Sequence, residues 1–290
     1  MVATEGLSGV VAITVTPFDE DGSVDVPAYE RVVGRLAGVH AVTVNGNTSE
    51  FYTLSAEECR TAVDVVAGAD AMRLCGVGHD LGTAVRLAEY AERRGLDGVM
   101  VHQPAHPYLS LDGWVEYHRV IADAVPSLAV VPYVRDARIG GAQIGALAGA
   151  CDNVVGVKYA VADPVRFACA ARDSGIDRLV WVAGLAELSA PGYFAYGATG
   201  FTSGLANVVP EMSLRMFELL EAGEDTGGIW GRIRQFEELR AVDGGANNVA
   251  VVKEALAQLG VCRRDVRPPG HVLGEVDRAV VREVLATWAA

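Results

Sequence analysis

The stretch Val154-Val155-Gly156-Val157-Lys158 reads as a buried strand that delivers a single amine. A parallel strand covered on both faces shows a continuous apolar run, so a charged residue at its last position lies where the strand surfaces into a cleft. Composition singles this residue out. Lys158 and Lys253 are the only lysines, and the other 22 basic residues are arginines. Arginine keeps its proton near neutral pH, whereas a lysine amine in a dry site drops to about 7 to 8 and becomes a nucleophile. A rim lysine that snorkels from a strand end into water has the same local sequence. The run alone leaves both readings open.

Working outward, the apolar period alternates between strand and helix. Before Lys158 come strands at Gly9 to Val15, Ala41 to Val44, Met72 to Cys75, Gly98 to Val101 and Leu128 to Val131, the last leading into Tyr133. Helical spacing between them covers Pro27 to Leu36, a capped stretch from Ser55 to Val66, Leu81 to Arg94, Leu111 to Ala124 and Ala142 to Ala150. In Ser55-Ala56-Glu57-Glu58, a serine with an acid three residues on is a capping box, and Gly95 is a good residue to close a helix. After Lys158 follow a helix from Pro164, a strand at Leu179 to Val182, a helix near Leu188 to Tyr196 and a short strand at Gly200 to Thr202. Eight strands alternating with helices over this length predict a closed (β/α)8 TIM barrel. A doubly wound sheet is the alternative, but no GxGxxG follows the first strand and no Walker lysine is present. The remainder reads as helical. The expected division is a barrel over 1–222 and a C-terminal helical extension over 223–290, packed together as one unit, with Pro268-Pro269 turning the chain between its last two helices.

The bulk composition narrows the partners. A formal net charge of −13 argues against nucleic acid or an anionic membrane as partner, because both call for a basic surface. Cys59, Cys75, Cys151, Cys169 and Cys262 are an odd set without a CxxC pair, as expected of reduced thiols in a cytoplasmic protein. Met1 to Ser8 lacks a basic segment followed by an apolar one, so no secretory leader is expected, and no apolar run nears the roughly 20 residues of a membrane helix.

In such a barrel the carboxyl ends of the strands share one mouth. Collected there are Thr16, the turn Gly46-Asn47-Thr48-Ser49-Glu50, Gly76 to His79, His102, Tyr133, Lys158, Gly184 to Glu187, and Thr202-Ser203. The set holds one amine, one phenol, and a group of hydroxyls and turn amides. An amine can attack a carbonyl, a phenol can shuttle protons, and amides with hydroxyls can hold a carboxylate, which together make imine chemistry on an oxo acid. Other readings are weaker. Pro104 keeps His102 and His106 off one regular helix face, so they suit a pocket lining or subunit contact better than a metal site, and no metal or cofactor is expected. Gly76-Val77-Gly78-His79 suits a tight strand-to-helix connection better than a phosphate cradle, and Glu50 a structural role accepting backbone hydrogen bonds. Lys253, in a predicted helix, is expected at the surface or in a salt bridge.

These residues, in order and spacing along nearly the whole chain, resemble the dihydrodipicolinate synthase and N-acetylneuraminate lyase superfamily of Schiff-base barrels. The resemblance is carried by Thr16-Pro17-Phe18, by Gly46 to Glu50 against the family's GxxGE, by Tyr133, by Gly156-Val157-Lys158, by GFTSGLANVVP at Gly200 to Pro210, and by Val252 to Leu256. It implies that Lys158 forms the imine, that Tyr133 relays protons, that Thr48 and the turn amides contact the oxo-acid carboxylate, and that the protein is a homo-oligomer, tetramer or dimer.

The departures from the family pattern bear on substrate. Ser49 replaces a glycine, Asn47-Thr48 stands where the synthases show Thr-Thr, and Ala105-His106 replaces the tyrosine pair that a synthase subunit lends to its neighbour. Tyr133-Val134-Arg135-Asp136 is closer to the YNRD of 5-dehydro-4-deoxyglucarate dehydratases than to the YNVP of synthases, yet Arg138 keeps the step from the tyrosine at which synthases bind a second carboxylate. The expected substrate contacts are Gly46, Asn47, Thr48, Ser49, His106, Arg138, Glu187, Thr202 and Ser203. The leading expectation is a Schiff-base dehydratase or aldolase acting on a hydroxylated 2-oxo acid such as a deoxy-oxo sugar acid. Condensation of pyruvate with aspartate semialdehyde is the second, and a non-catalytic oxo-acid-binding barrel the third.

Overall fold

The computed structural model describes residues 4–289; Met1 to Ala3, part of the segment read for a leader, and Ala290 lie outside the described residues. Among the described residues, eight parallel strands close into a barrel in chain order. They are β1 (Val10–Ile13), β2 (Ala41–Val44), β3 (Met72–Val77), β4 (Gly98–Val101), β5 (Ala129–Val134), β6 (Gly156–Tyr159), β7 (Val180–Ala183) and β8 (Gly200–Ser203). Closure comes from β1 pairing with β8, Val10 beside Phe201 and Ala12 beside Ser203.

Five of the barrel helices start where short polar side chains satisfy free backbone amides. Asp25 caps α1 (Val26–Gly34), and Ser55 with Glu58 forms the expected capping box on α2 (Ala56–Val66). Asp80 caps α3 (Leu81–Arg93), Ser110 caps α4 (Leu111–Ala124), and Asp163 caps α6 (Pro164–Asp173) ahead of its first-turn proline. Gly140 precedes α5 (Gly141–Ala150), and α7 (Ala186–Phe194) and α8 (Pro210–Ala222) complete the ring. Beyond it lie α9 (Gly227–Gly245), α10 (Asn248–Gln258) and α11 (Glu275–Ala289). Helix α9 is broken at Val242 to Gly244, where φ turns positive at Asp243 and Gly244, and the chain there bends back over the barrel mouth. Among the described residues no helix is long and apolar enough to cross a membrane.

Strand side chains alternate between two cores. Val10, Val42, Val99, Val130 and Val157 pack outward under the helices, while Val11, Ile13, Leu74, Met100, Val131 and Val182 fill the lumen. Because Val157 faces the helices, Lys158 after it faces the lumen, and the β5–β6 register sets it beside Tyr133. The strand itself differs from the expected run. It begins at Gly156 and includes Tyr159, and Val154 joins the sheet only through a bridge to Val130. Helix α7 starts two residues before the expected Leu188, which puts Glu187 in its first turn.

Candidate active site

The barrel mouth opens into a cavity of about 790 Å³ with Lys158 in its floor. Lys158 is 4 % exposed, and its Nζ lies 4.0 Å from the centre of the Tyr133 ring. Burial pulls the Lys158 ammonium down to about 7, and the positive charge of Arg135 adds to the effect. Tyr133 is buried too, which pushes its phenol above the usual value, and its hydroxyl accepts a hydrogen bond from Asn47 Nδ2 at 3.3 Å. An amine free of its proton near neutrality and a phenol beside it are what carbinolamine formation and dehydration require.

The turn after β2 forms the adjoining wall. Its left-handed residues are Asn45 (φ 57°) and Glu50 (φ 60°), so Ser49, where the family carries glycine, needs no left-handed backbone. Ser49 pins the turn instead. Its Oγ donates to Thr14 O at 2.6 Å and accepts from the Gly46 amide at 3.0 Å, while Thr16 Oγ1 donates to Ser49 O at 2.8 Å. The amides of Ser49 and Glu50 are spent within the turn, on Gly46 O and Asn47 O. Among the described residues the amides of Asn47 and Thr48 donate to no backbone carbonyl, and both residues line the cavity. Two free amides and the Thr48 hydroxyl on one edge suit a carboxylate.

Glu50 closes the turn from behind. Its carboxylate accepts from Lys253 Nζ on α10 and from the Arg267 amide at 2.8 Å. Lys253, expected at the surface or in an ion pair, is in an ion pair and fully buried, with Nζ also donating to Asp265 O at 2.7 Å. Arg267 in turn grips Glu58 and donates to Thr53 O at 3.0 Å, so the C-terminal chain holds the turn's carboxyl end and the start of α2.

The remaining expected contacts divide. Thr202 lines the cavity. Gly46, Ser49, Glu187 and Ser203 stand behind its wall. Ser203 Oγ and Ser213 Oγ both donate to Glu187 Oε1, and burial, with the charge of Glu237, raises the Glu187 carboxyl to about 7. His106 and Arg138 line a second chamber of about 560 Å³ that shares Asn47, Tyr52, Tyr133 and Arg135 with the first. Both are exposed, and Arg138 is engaged by Asp136 at 2.6 Å. His102 is buried against Phe51, ring centroids 4.3 Å apart, and donates Nε2–H to Asn45 O at 2.7 Å; burial drives its pKa down to about 3, so it is neutral. Gly76 has no room for a side chain because the Asn45 carbonyl and the His102 ring fill that space, which makes the glycine turn a packing device.

Strand ends alone do not reveal Arg135, Tyr52 or the wall given by the C-terminal helices. There Arg240 pairs with Glu237 at 2.6 Å, both nearly buried, and donates to Asn248 Oδ1 at 2.6 Å. The break in α9 brings these residues over the mouth. Its one sequence signal is the run Asp243-Gly244-Gly245 inside a helical pattern.

Comparison with known proteins agrees with this fold. The sequence profile of the Dihydrodipicolinate synthetase family matches residues 6–287. A probable 5-dehydro-4-deoxyglucarate dehydratase of Rhizobium rhizogenes is 31% identical, covering 98% of this chain and 96% of its own. A 4-hydroxy-tetrahydrodipicolinate synthase of Chlorobaculum parvum is 30% identical over 96% of each chain. The crystal structure of dihydrodipicolinate synthase from Bacillus clausii superposes with a TM-score of 0.91 at 37% identity, over 98% of this chain and 99% of that one.

Proposed function

Since the chain belongs to the dihydrodipicolinate synthetase family and is a lyase of the Schiff-base kind, we propose that it dehydrates a hydroxylated 2-oxo acid of the deoxy-oxo sugar class through an imine on Lys158. The substrate class is that named for the Rhizobium rhizogenes relative, a 5-dehydro-4-deoxyglucarate. The observation that carries the reading is the Lys158 amine, dry, close to half deprotonated at neutral pH and packed on the Tyr133 ring.

The chemistry follows from these positions. The substrate carboxylate docks on the Asn47 and Thr48 amides, and the neutral amine attacks the adjacent carbonyl carbon. Tyr133 protonates the carbinolamine oxygen, which leaves as water, and the iminium forms. The iminium draws electrons from the neighbouring C–H bond, the proton passes to the Tyr133 oxygen, and an enamine results. With a hydroxyl on the next carbon, the enamine expels it, the Tyr133 proton goes with it, and a second water leaves. Water then hydrolyses the imine and restores the amine and the phenol. The Asn47 side chain, donating to the Tyr133 oxygen at 3.3 Å, favours the phenolate that appears between these transfers.

Condensation of pyruvate with aspartate semialdehyde is a second reading, favoured by the 37% identity to the Bacillus clausii synthase. Against it, Arg138 is held by Asp136 on an exposed rim. A homo-oligomer is the assembly that the resemblance implies, and a reducing cytoplasmic setting is supported by five unpaired thiols; sedimentation and thiol titration test these two points.

The central test is reductive trapping. Pyruvate or a longer 2-oxo acid with borohydride is expected to leave an adduct on Lys158 and none on Lys253, read by peptide mass. No adduct with any oxo acid would leave a non-catalytic binding barrel. Comparison of kcat/KM for 5-dehydro-4-deoxyglucarate and for pyruvate plus aspartate semialdehyde then separates dehydratase from synthase.

A further inference from the structure

Resting on the reading of Lys158 as the imine residue, we propose that Arg135 determines specificity by binding a second carboxylate at the substrate end remote from the imine carbon. Four arginines line the two chambers, and three are already matched. Arg138 is held by Asp136 at 2.6 Å, Arg240 by Glu237 at 2.6 Å, and Arg267 by Glu58. Arg135 is the fourth, and among the described residues no carboxylate lies within 4.0 Å of it.

Its position fits the role. Arg135 stands just past the end of β5, two residues beyond Tyr133, with its guanidinium carbon 6.0 Å from the Tyr133 ring centre. It lines both the Lys158 cavity and the second chamber, as do Asn47, Tyr52 and Tyr133, so it stands at the doorway between them. A substrate held at one end by the Thr48 turn and at its carbonyl by Lys158 has two directions for its tail. Toward α9 and α10 it meets Arg240 and Glu237, whose charges cancel. Toward the doorway it meets an unmatched guanidinium, whose planar fork pairs with a carboxylate through two hydrogen bonds. Arg135 is exposed, so a monocarboxylic tail leaves it to water, whereas a carboxylate at the doorway gains a two-bond pair, and the doorway favours diacids over monoacids of equal length. The same charge bears on the amine, which Arg135 helps to hold near pH 7.

The test uses borohydride trapping with two 2-oxo acids of six carbons, 2-oxoadipate carrying the second carboxylate and 2-oxohexanoate lacking it, on the whole protein and on Arg135→Gln. Half-saturating concentrations are read from the mass of the Lys158 peptide. The wild type is expected to favour 2-oxoadipate by roughly 10- to 100-fold, the range of a lost charge-assisted hydrogen bond. Arg135→Gln is expected to erase that preference and Arg135→Lys to keep part of it, with each protein compared at its own half-maximal pH for pyruvate trapping so that the shift of the amine is separated from loss of the diacid contact. In Arg135→Gln the pH at which trapping is half-maximal moves upward. Trapping on Lys158 without a diacid preference, or with a preference that survives in Arg135→Gln, overturns the role of Arg135 and leaves the imine standing. Absence of any adduct removes both.

Discussion

The two lysines, one on β6 and one on α10, share more than their residue type. Each is buried, each holds Nζ 4.0 Å from the centre of an aromatic ring, Tyr133 for Lys158 and Phe18 for Lys253, and burial pulls the proton affinity of both down. They differ in neighbours. Lys253 has the Glu50 carboxylate and the Asp265 carbonyl, which keep it charged and fixed. Lys158 has no carboxylate within 4.0 Å among the described residues and has Arg135 nearby, which presses it toward the neutral amine. Burial makes a lysine costly to charge, and its partner decides whether it becomes a staple or a nucleophile.

The sharpest way to break this contrast is to remove Lys158. Lys158→Met is expected to lower turnover by roughly 10⁴-fold or more, as loss of a covalent nucleophile does. Its stability is expected to move the other way. The folded-state pKa of about 7 lies below the ordinary 10.5, so between those values the unfolded chain binds the extra proton. The penalty is fully present below pH 7 and fades as pH rises toward 10.5. Lys158→Met therefore melts higher than the wild type at pH 7, with a gap that closes by pH 10. Equal melting at both pH values would mean the amine is not held dry.

Tyr133→Phe keeps the ring over the amine and removes only the hydroxyl, so under the proposed mechanism turnover is expected to fall roughly 10²- to 10⁴-fold with no loss of melting temperature. A variant with near-full kcat would reduce Tyr133 to packing. Lys253→Met tests the other side of the contrast. It leaves Glu50 buried without a counter-charge, which costs roughly 3–5 kcal/mol of stability, read by urea unfolding. If Lys253→Met unfolds like the wild type, the Glu50 pair is not holding the turn. The smallest effect is in the pH profile. Below about pH 7, kcat/KM is expected to fall up to tenfold per unit as Lys158 takes a proton; a flat profile down to pH 5 would contradict the depressed amine.

The barrel was legible because its signals are local. Continuous apolar strands, the Ser55–Glu58 box and the proline at the start of α6 each appear where they were expected. Lys158 stood out through the scarcity of lysine, and its partner Tyr133 through the rule that strand ends converge. The direction of a side chain at a strand end was less accessible, since one residue of register separates lumen from outer wall. Thr202 faces the cavity and Ser203, next to it, bonds Glu187 behind it. What the C-terminal chain adds was legible only in part, since an ion pair was expected as one option for Lys253 but its partner was not. The contact of Arg267 with the turn at Glu50 joins residues 217 apart, and no period in the sequence encodes such a meeting.

The Glu50 to Lys253 pair spans 203 residues, and this bears on how the protein is made. A ribosome adding about 5–20 residues per second finishes the turn at Glu50 on the order of 10–40 s before its counter-charge is synthesised. During that interval Glu50 lacks the partners that hold it in the finished fold, the Lys253 ammonium and the Arg267 amide. Limited proteolysis of stalled chains is expected to cut near Glu50, and that cleavage is expected to disappear in the full-length product.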